Sequence, residues 1–303
     1  AIDCGTNSIR LLIADIENGK LTDVVRTMVI VRLGEGVDKT GEFSQAALTR
    51  TFAALDTYVE FIAEHKPELV RFVATSASRD VSNRGEFVAG IKTRLGIEPD
   101  IISGDEEAAL SFLGATADLL NFDQAPIAPY LVIDIGGGST EFVLGKTEVE
   151  YAKSVNIGCV RMSERHLNKA PQDPLAIQKA IQDIDEAIAD AAYIVPIKES
   201  KTLIAVAGTA TTVAAAALEL PEYDRYAIHL SRISAEQVHA VSNKFLTMTR
   251  EERAALGYMH PGRVDVIGAG SLVLSEIMKA TGAKEFVASE NDILDGMAWS
   301  LAK

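Results

Sequence analysis

Apolar and polar positions alternate at strand spacing in three early runs, residues 1–5, 9–16 and 21–33, and Glu17-Asn18-Gly19-Lys20 joins the last two as a tight turn. The period then lengthens. Between 44 and about 64, Leu48, Phe52, Leu55, Val59 and Ile62 share one helical face, and Pro67 ends the pattern. A buried strand at 69–74, a polar turn at 75–80, a helix at 85–95, a short strand at 101–102 and a helix from 103 to about 120 follow. Residues 121–129 (NFDQAPIAP) set two prolines among polar residues and read as a linker. Beyond it the pattern starts again, with strands at 130–135, 141–144 and 149–155, helices near 162–167 and 175–193, and a buried strand at 203–207. Helices near 235–246, 250–256 and 264–280, a strand at 284–288 and a helix at 293–301 complete the chain.

Two glycine-bearing turns organise this pattern. VIDIGGGSTEFVL (132–144) reads as a strand, a turn through Gly136, Gly137 and Gly138, and a second strand, with Asp134 before the turn and Ser139 and Glu141 after it. Glycines, with few φ restrictions, let successive N–H groups face one ligand, and a concave row of amides binds anions, phosphate above all. Two carboxylates beside such a row suit a divalent metal between them and the phosphate. An ordinary glycine hairpin, with Asp134 paired to a nearby base, is the plainer alternative. It loses ground because the arrangement recurs in DCGTNS (3–8): Asp3 aligns with Asp134, Gly5 with Gly136 and Ser8 with Ser139. The later turns ATSAS (74–78) and AGTAT (207–211) repeat at nearly the same offset, 133 residues from 75 to 208 against 131 from 3 to 134. Two anchors at one offset argue for duplication. The expected architecture is α/β, with two domains (1–122 and 123–303) facing each other across a cleft lined by both turns. The final helix is expected to pack back on the first domain.

Composition narrows the classes. The 303 residues are 48% apolar and 24% charged, enough for a core in each half. No apolar run approaches the ~20 residues of a membrane-spanning helix, and no cleavable signal is visible at the start. The strand before Asp3 is short enough to suggest that a few preceding residues are not shown. Cys4 and Cys159 stand alone, which argues against disulfide or zinc chemistry and fits a reducing cytoplasm. The five histidines have no ligand spacing. The net charge of −14 (29 basic against 43 acidic residues) argues against nucleic-acid and anionic-membrane partners. A polyanionic substrate would need amides, a local basic lining or metal to hold it.

The motifs resemble those of the superfamily that contains actin, Hsp70 ATPase domains and sugar kinases, and more specifically those of the Ppx/GppA family of exopolyphosphatases and guanosine pentaphosphate phosphohydrolases. The resemblance rests on residues 3–12 (DCGTNSIRLL), 74–80 (ATSASRD), 102–108 (ISGDEEA), 132–142 (VIDIGGGSTEF), 158–165 (GCVRMSER) and 205–212 (AVAGTATT), in the family's order. It implies two ribonuclease-H-like, actin-like ATPase domains. Phosphate oxygens would be held by Gly5, Thr6, Asn7 and Ser8 on one wall and by Gly136, Gly137, Gly138 and Ser139 on the other. Asp134 and Glu141 match the family's metal-site acids and are assigned to Mg²⁺, with Mn²⁺ able to substitute; Asp3 could assist. Gly208 and Thr209 sit where a helix N-terminus would point at the cleft, a further anion site. Arg79 matches the family's basic residue after the first polar turn and suits phosphate through bidentate bonds. The chain stops soon after the second α/β unit, like the short members of the family, so contacts that longer members make to long polyphosphate are not expected.

Two glutamates compete to activate the water. Ser103 and Glu106 have capping-box spacing, which gives Glu106 a structural task. Glu107 is then free to face the cleft, and it is the better match to the family's catalytic glutamate. Helix-start acids favoured by the macrodipole are the plainer alternative. Arg10 and Arg32 face either cleft or solvent, and Arg161 and Arg165 either brace a loop or touch substrate. The expected activity is Mg²⁺-dependent removal of the terminal phosphate of polyphosphate, with hydrolysis of pppGpp to ppGpp the close alternative. An ATP-dependent kinase of the same superfamily and a non-catalytic polyphosphate sensor are two further readings. A homodimer is compatible with the size.

Overall fold

The computed structural model describes residues 1–79, 81–117, 119 and 126–302. In chain order the strands are β1 (Ile2–Cys4), β2 (Ser8–Glu17), β3 (Lys20–Ile30), β4 (Phe72–Ala74), β5 (Asp100–Ile101), β6 (Tyr130–Ile135), β7 (Thr140–Gly145), β8 (Val149–Val155), β9 (Thr202–Val206), β10 (Arg232–Ser234) and β11 (Glu285–Ala288). The helices are α1 (Val37–Thr40), α2 (Gln45–His65), α3 (Ser76–Arg79), α4 (Arg84–Leu95), α5 (Gly104–Thr116), α6 (Cys159–Arg165), α7 (Pro174–Ile194), α8 (Ala207–Ala217), α9 (Arg225–Ile228), α10 (Ala235–Thr247), α11 (Arg250–Ala254), α12 (Ile267–Thr281) and α13 (Ile293–Leu301).

The strands form two sheets with one topology. The first runs β3-β2-β1-β4-β5; the second, read from its other edge, runs β8-β7-β6-β9-β11 with β10 added. In each, a three-stranded antiparallel meander is followed by a parallel neighbour. Asp3 lies beside Val73 in the first sheet and Asp134 beside Val206 in the second. The two turns close alike: the Gly5 amide donates to the Ser8 carbonyl at 2.9 Å, and the Gly136 amide to the Ser139 carbonyl at 3.0 Å. The duplication inferred from spacing is thus present in sheet order, register and turn hydrogen bonding.

The expected long helices form, and several of the helices are started by a side chain the sequence supplies. Ser44 caps α2, Ser103 caps α5, Asp173 caps α7 ahead of Pro174, and Asp292 caps α13. The polar turn expected at 75–80 is instead helical from Ser76 to Arg79, and the strand expected from 69 starts only at Phe72. The expected capping box at α5 is half made. Ser103 accepts the Glu106 amide, but the Glu106 carboxylate turns away to Arg71 at 2.7 Å.

Packing crosses between the halves. One face of the first sheet is covered by α2 and α4 through Leu48, Leu55, Tyr58, Phe87 and Ile91. Helix α5 lies on the second sheet, where Ala108, Phe112 and Ala115 meet Val132, Val143 and Ile204. The last helix returns to the first sheet: Leu294 and Ala298 pack on Leu12, and Ile293 and Met297 on Val73. Where α5 and α13 cross, a Cβ on Gly296 would lie 1.9 Å from the Leu110 carbonyl oxygen, so the two backbones touch and nothing larger than glycine fits. Residues 121–125 of the expected linker lie outside the described residues. Among the described residues no helix is long and apolar enough to cross a membrane.

Candidate active site

The carboxyl ends of β1 and β6, with the start of α8 after β9, open on one cavity of about 560 Å³, the position that ligands favour in open α/β sheets. Gly5, Thr6, Asn7 and Ser8 line it from one side, and Gly136, Gly137, Gly138 and Ser139 from the other. The turns touch: a Cβ on Gly137 would sit 2.8 Å from Thr6 Cβ, and one on Gly138 would sit 2.8 Å from both Thr6 Oγ1 and Ser76 Oγ. This corrects the reason given for the glycines. None of Gly5, Gly136, Gly137 and Gly138 has a positive φ; close approach, not backbone freedom, demands glycine at 137 and 138.

The carbonyls of both turns are held from behind. The Thr6 carbonyl accepts the Gly34 amide, and the Asn7 carbonyl accepts those of Val31 and Arg32. The Gly136 carbonyl takes the Cys159 amide, the Gly137 carbonyl those of Val160 and Arg161, and the Gly138 carbonyl Arg161 Nε at 2.7 Å. In a trans peptide each N–H opposes the preceding carbonyl. The amides of Asn7, Gly137, Gly138 and Ser139 therefore point away from these braces, free for an anion. Gly208 and Thr209 also line the cavity, in the first turn of α8, which has no side-chain cap. Ala207, which opens that helix, has φ 65°, a strained value for a residue with a side chain.

The acids divide into two groups. Asp3 and Arg10 are cross-strand partners on β1 and β2, and Asp134 and Glu141 hold the same places on β6 and β7. Arg10 donates to Asp3 Oδ2 at 2.6 and 2.9 Å and also binds Asp292. Of the two orientations open to Arg10, the cleft is the observed one. In the second pair no base intervenes. Asp134 lines the cavity and accepts Ser111 Oγ at 2.5 Å, whereas Glu141 is fully buried, accepts Ser154 Oγ at 2.7 Å and does not reach the cavity wall. Burial, then the Asp292 charge, pushes the Asp134 carboxyl up to about 6. Burial, then Glu107 and Asp134, pushes Glu141 well above the carboxylate range.

Glu107 lines the cavity from α5. Burial pushes its carboxyl up to about 7, with Asp134 and Asp3 adding to the effect and Arg79 opposing it. Arg79 Nη1 donates to Glu107 Oε2 at 2.6 Å and is not among the cavity-lining groups. The structure therefore brings Arg79 to the glutamate rather than to the phosphate turns. Arg32 pairs with Asp265, Arg161 braces the second turn at the Gly138 carbonyl, and Arg165 pairs with Asp38 and Asp183.

Three buried oxygens at the site make no hydrogen bond: Asp3 Oδ1, Thr6 Oγ1 and Glu141 Oε2. An orphaned carboxylate oxygen behind Asp134, in a pair of facing acids, suits a divalent cation. Among the described residues no three acids, histidines or cysteines form a complete cage.

Four charged cavity residues were missed from sequence: Arg26, Arg263, Glu290 and Asp292. Arg26 pairs with Asp23 and Asp295. The Arg263 guanidinium lies over Gly208 and donates to Thr212 Oγ1 at 3.1 Å. Only Asp292 carried a signal, as the cap of an apolar helix, and that signal says nothing of its bond to Arg10.

The sequence profile of the Ppx/GppA phosphatase family matches residues 12–303. The chain belongs to the Ppx/GppA phosphatase family. It is 46% identical over 315 residues to exopolyphosphatase 2 of Mycobacterium tuberculosis, covering 100% of this chain and 98% of that protein. A crystal structure of an exopolyphosphatase-like protein, also 46% identical, superposes with a TM-score of 0.94 over 99% of this chain and 97% of the other. The Aquifex aeolicus family member superposes with a TM-score of 0.83 at 27% identity, over 99% and 96% of the two chains. The actin-like two-domain α/β fold read from the motifs is thus the fold of this Ppx/GppA protein.

Proposed function

We propose that this Ppx/GppA protein is an exopolyphosphatase that removes the terminal phosphate of inorganic polyphosphate. The observation that carries the reading is the pair of turns whose amides converge on one cavity beside a carboxyl held near neutrality. The terminal phosphoryl oxygens would lie on the amides of Asn7, Gly137, Gly138 and Ser139. Glu107, with its carboxyl near 7, takes a proton from the attacking water at neutral pH. The water oxygen bonds to phosphorus in line, the bridging P–O bond breaks, and the shortened polyphosphate leaves with the electron pair. The proton on Glu107 passes to solvent or to the released phosphate.

Asp134, backed by Glu141, would hold Mg²⁺ or Mn²⁺, which supplies neutralisation of the phosphate charge when bound. Arg263, which donates to Thr212 Oγ1 and whose charge also reaches Glu290, suits the phosphates behind the scissile bond. Such local cations oppose the overall charge of −14. The lobes 1–122 and 123–303 would close around this substrate, with α5 and α13 packed across the division. Two buried free cysteines support a reducing, cytoplasmic setting, and a C₂ homodimer is the assembly to test by light scattering.

The deciding assay is phosphate release from short polyphosphate, long polyphosphate and pppGpp in Mg²⁺. Faster turnover of polyphosphate supports the reading, and a preference for pppGpp replaces it. ATP consumption that depends on an added acceptor would indicate a kinase instead.

A further inference from the structure

Behind the second phosphate turn lies a contact that spans the cleft. Asp38 sits in α1, a single helical turn held between Gly36 and Gly41, both in the left-handed region. Its carboxylate meets two arginines of α6 from the other half: Arg161 through Oδ1, and Arg165 through Oδ2 at 2.7 Å and Oδ1 at 3.0 Å. The Gly36 amide adds a third tie, donating to Glu164 Oε1 at 3.0 Å. Arg161 has a second engagement, since its Nε donates to the Gly138 carbonyl at 2.7 Å. Asp38, Arg161, Thr6 and Gly138 together wall a small cavity of about 20 Å³ immediately behind the two turns.

The Gly138 carbonyl fixes the peptide plane that carries the Ser139 N–H. Three amides and one guanidinium hold the three carbonyls of this turn, and only the guanidinium depends on the opposite half of the molecule. A carboxylate fork that fills Nη1 leaves Nε aimed at the carbonyl, a geometry the planar guanidinium allows and a lysine does not. We propose that Asp38 is a positioning residue: by holding Arg161 against the Gly138 carbonyl across the cleft, it makes the alignment of the Ser139 amide depend on closure of the two halves. The amide row is then complete only when the first half has docked, so the phosphate site forms on closure.

This inference rests on the phosphohydrolase reading, and its test separates the two. The full chain and its variants are measured for kcat and KM in phosphate release from short polyphosphate, and for pyrophosphate affinity by calorimetry. Asp38→Asn is expected to lower kcat/KM about 10- to 100-fold, the range for a displaced positioning group. Because the pair is partly exposed, little change in Tm should accompany the loss. Asp38→Glu should recover part of it. In an Arg161→Ala background Asp38→Asn should cost nothing further, while Arg165→Ala alone should stay within about twofold, as expected if the coupling runs through Arg161. Equal losses from Asp38→Asn with and without Arg161, or none in either, would overturn the proposal. If the wild type binds pyrophosphate yet releases no phosphate from polyphosphate, the functional reading fails. The positioning role then stands or falls on whether Asp38→Asn weakens pyrophosphate binding in the presence of Arg161 alone.

Discussion

Replacing Arg79 by glutamine separates two roles for this arginine. Arg79 Nη1 lies 2.6 Å from Glu107 Oε2, with side-chain exposures of 21% and 8%. Glu107 is otherwise surrounded by negative charge from Asp134 and Asp3. Removing one partner of a buried ion pair costs about 3–5 kcal/mol; with Arg79 partly exposed, about 3 kcal/mol is the better figure. At about 1.4 kcal/mol per pH unit this moves the Glu107 carboxyl up by about two units, from about 7 to ~9. A base must be ionised to accept a proton, so the acid limb of the kcat/KM profile should move up by the same amount. At pH 7 the wild type has about half its Glu107 ionised and Arg79→Gln about one part in a hundred, a loss of roughly 50-fold that should fade above pH 9. The assay is phosphate release from short polyphosphate between pH 5 and 10 at fixed Mg²⁺. An acid limb that does not move would mean that Glu107 is not the titrating base. A loss equal at every pH would mean that Arg79 binds substrate, as the family resemblance implied.

Other perturbations test the site and its scaffold. Gly137→Ala places a methyl 2.8 Å from Thr6 Cβ and should lower kcat/KM at least ~10-fold by spreading the turns; unchanged kinetics would show that their contact is dispensable. Asp134 and Glu107 have folded-state values raised to about 6 and about 7, so the stability they contribute is complete below about pH 4 and lost as pH rises through those values. In EDTA the wild-type Tm should therefore fall between roughly pH 4.5 and 7.5. Asp134→Asn should raise Tm at pH 8 by about 5 °C, from ~2–3 kcal/mol of relieved ionisation; added Mg²⁺ should raise Tm in the wild type and not in the variant. A Tm flat with pH would refute the buried-acid account. Gly296→Ala drives a methyl into the Leu110 carbonyl and should destabilise by more than ~3 kcal/mol, seen as a lower denaturation midpoint.

Much of the fold was legible because the chemistry is local. Ser44, Ser103 and Asp173 are short-range caps, and the two turns repeat their residues in register. The glycines were read as a turn needing backbone freedom, whereas the side chain that forbids a Cβ at Gly137 belongs to Thr6, distant in sequence. The same limit hid the partners of the charged residues. Arg10 could be placed on a strand face, but nothing near it in sequence announces Asp292; Arg79 could be matched to phosphate, but its approach to Glu107 depends on how α3 meets α5. Glu106 and Glu107 were separable because capping is local, although Arg71, and not the cap amide, takes the Glu106 carboxylate. Helix α5 covers the sheet of the other half, a crossing no hydrophobic period records.

The central claim is that the twin turns bind the terminal phosphate while Glu107 accepts the water proton. It is tested most directly by Glu107→Gln, which keeps the shape of the side chain and removes the base. Binding of short polyphosphate by calorimetry should stay within about threefold of wild type while kcat falls at least ~100-fold. Near-normal turnover would contradict the account.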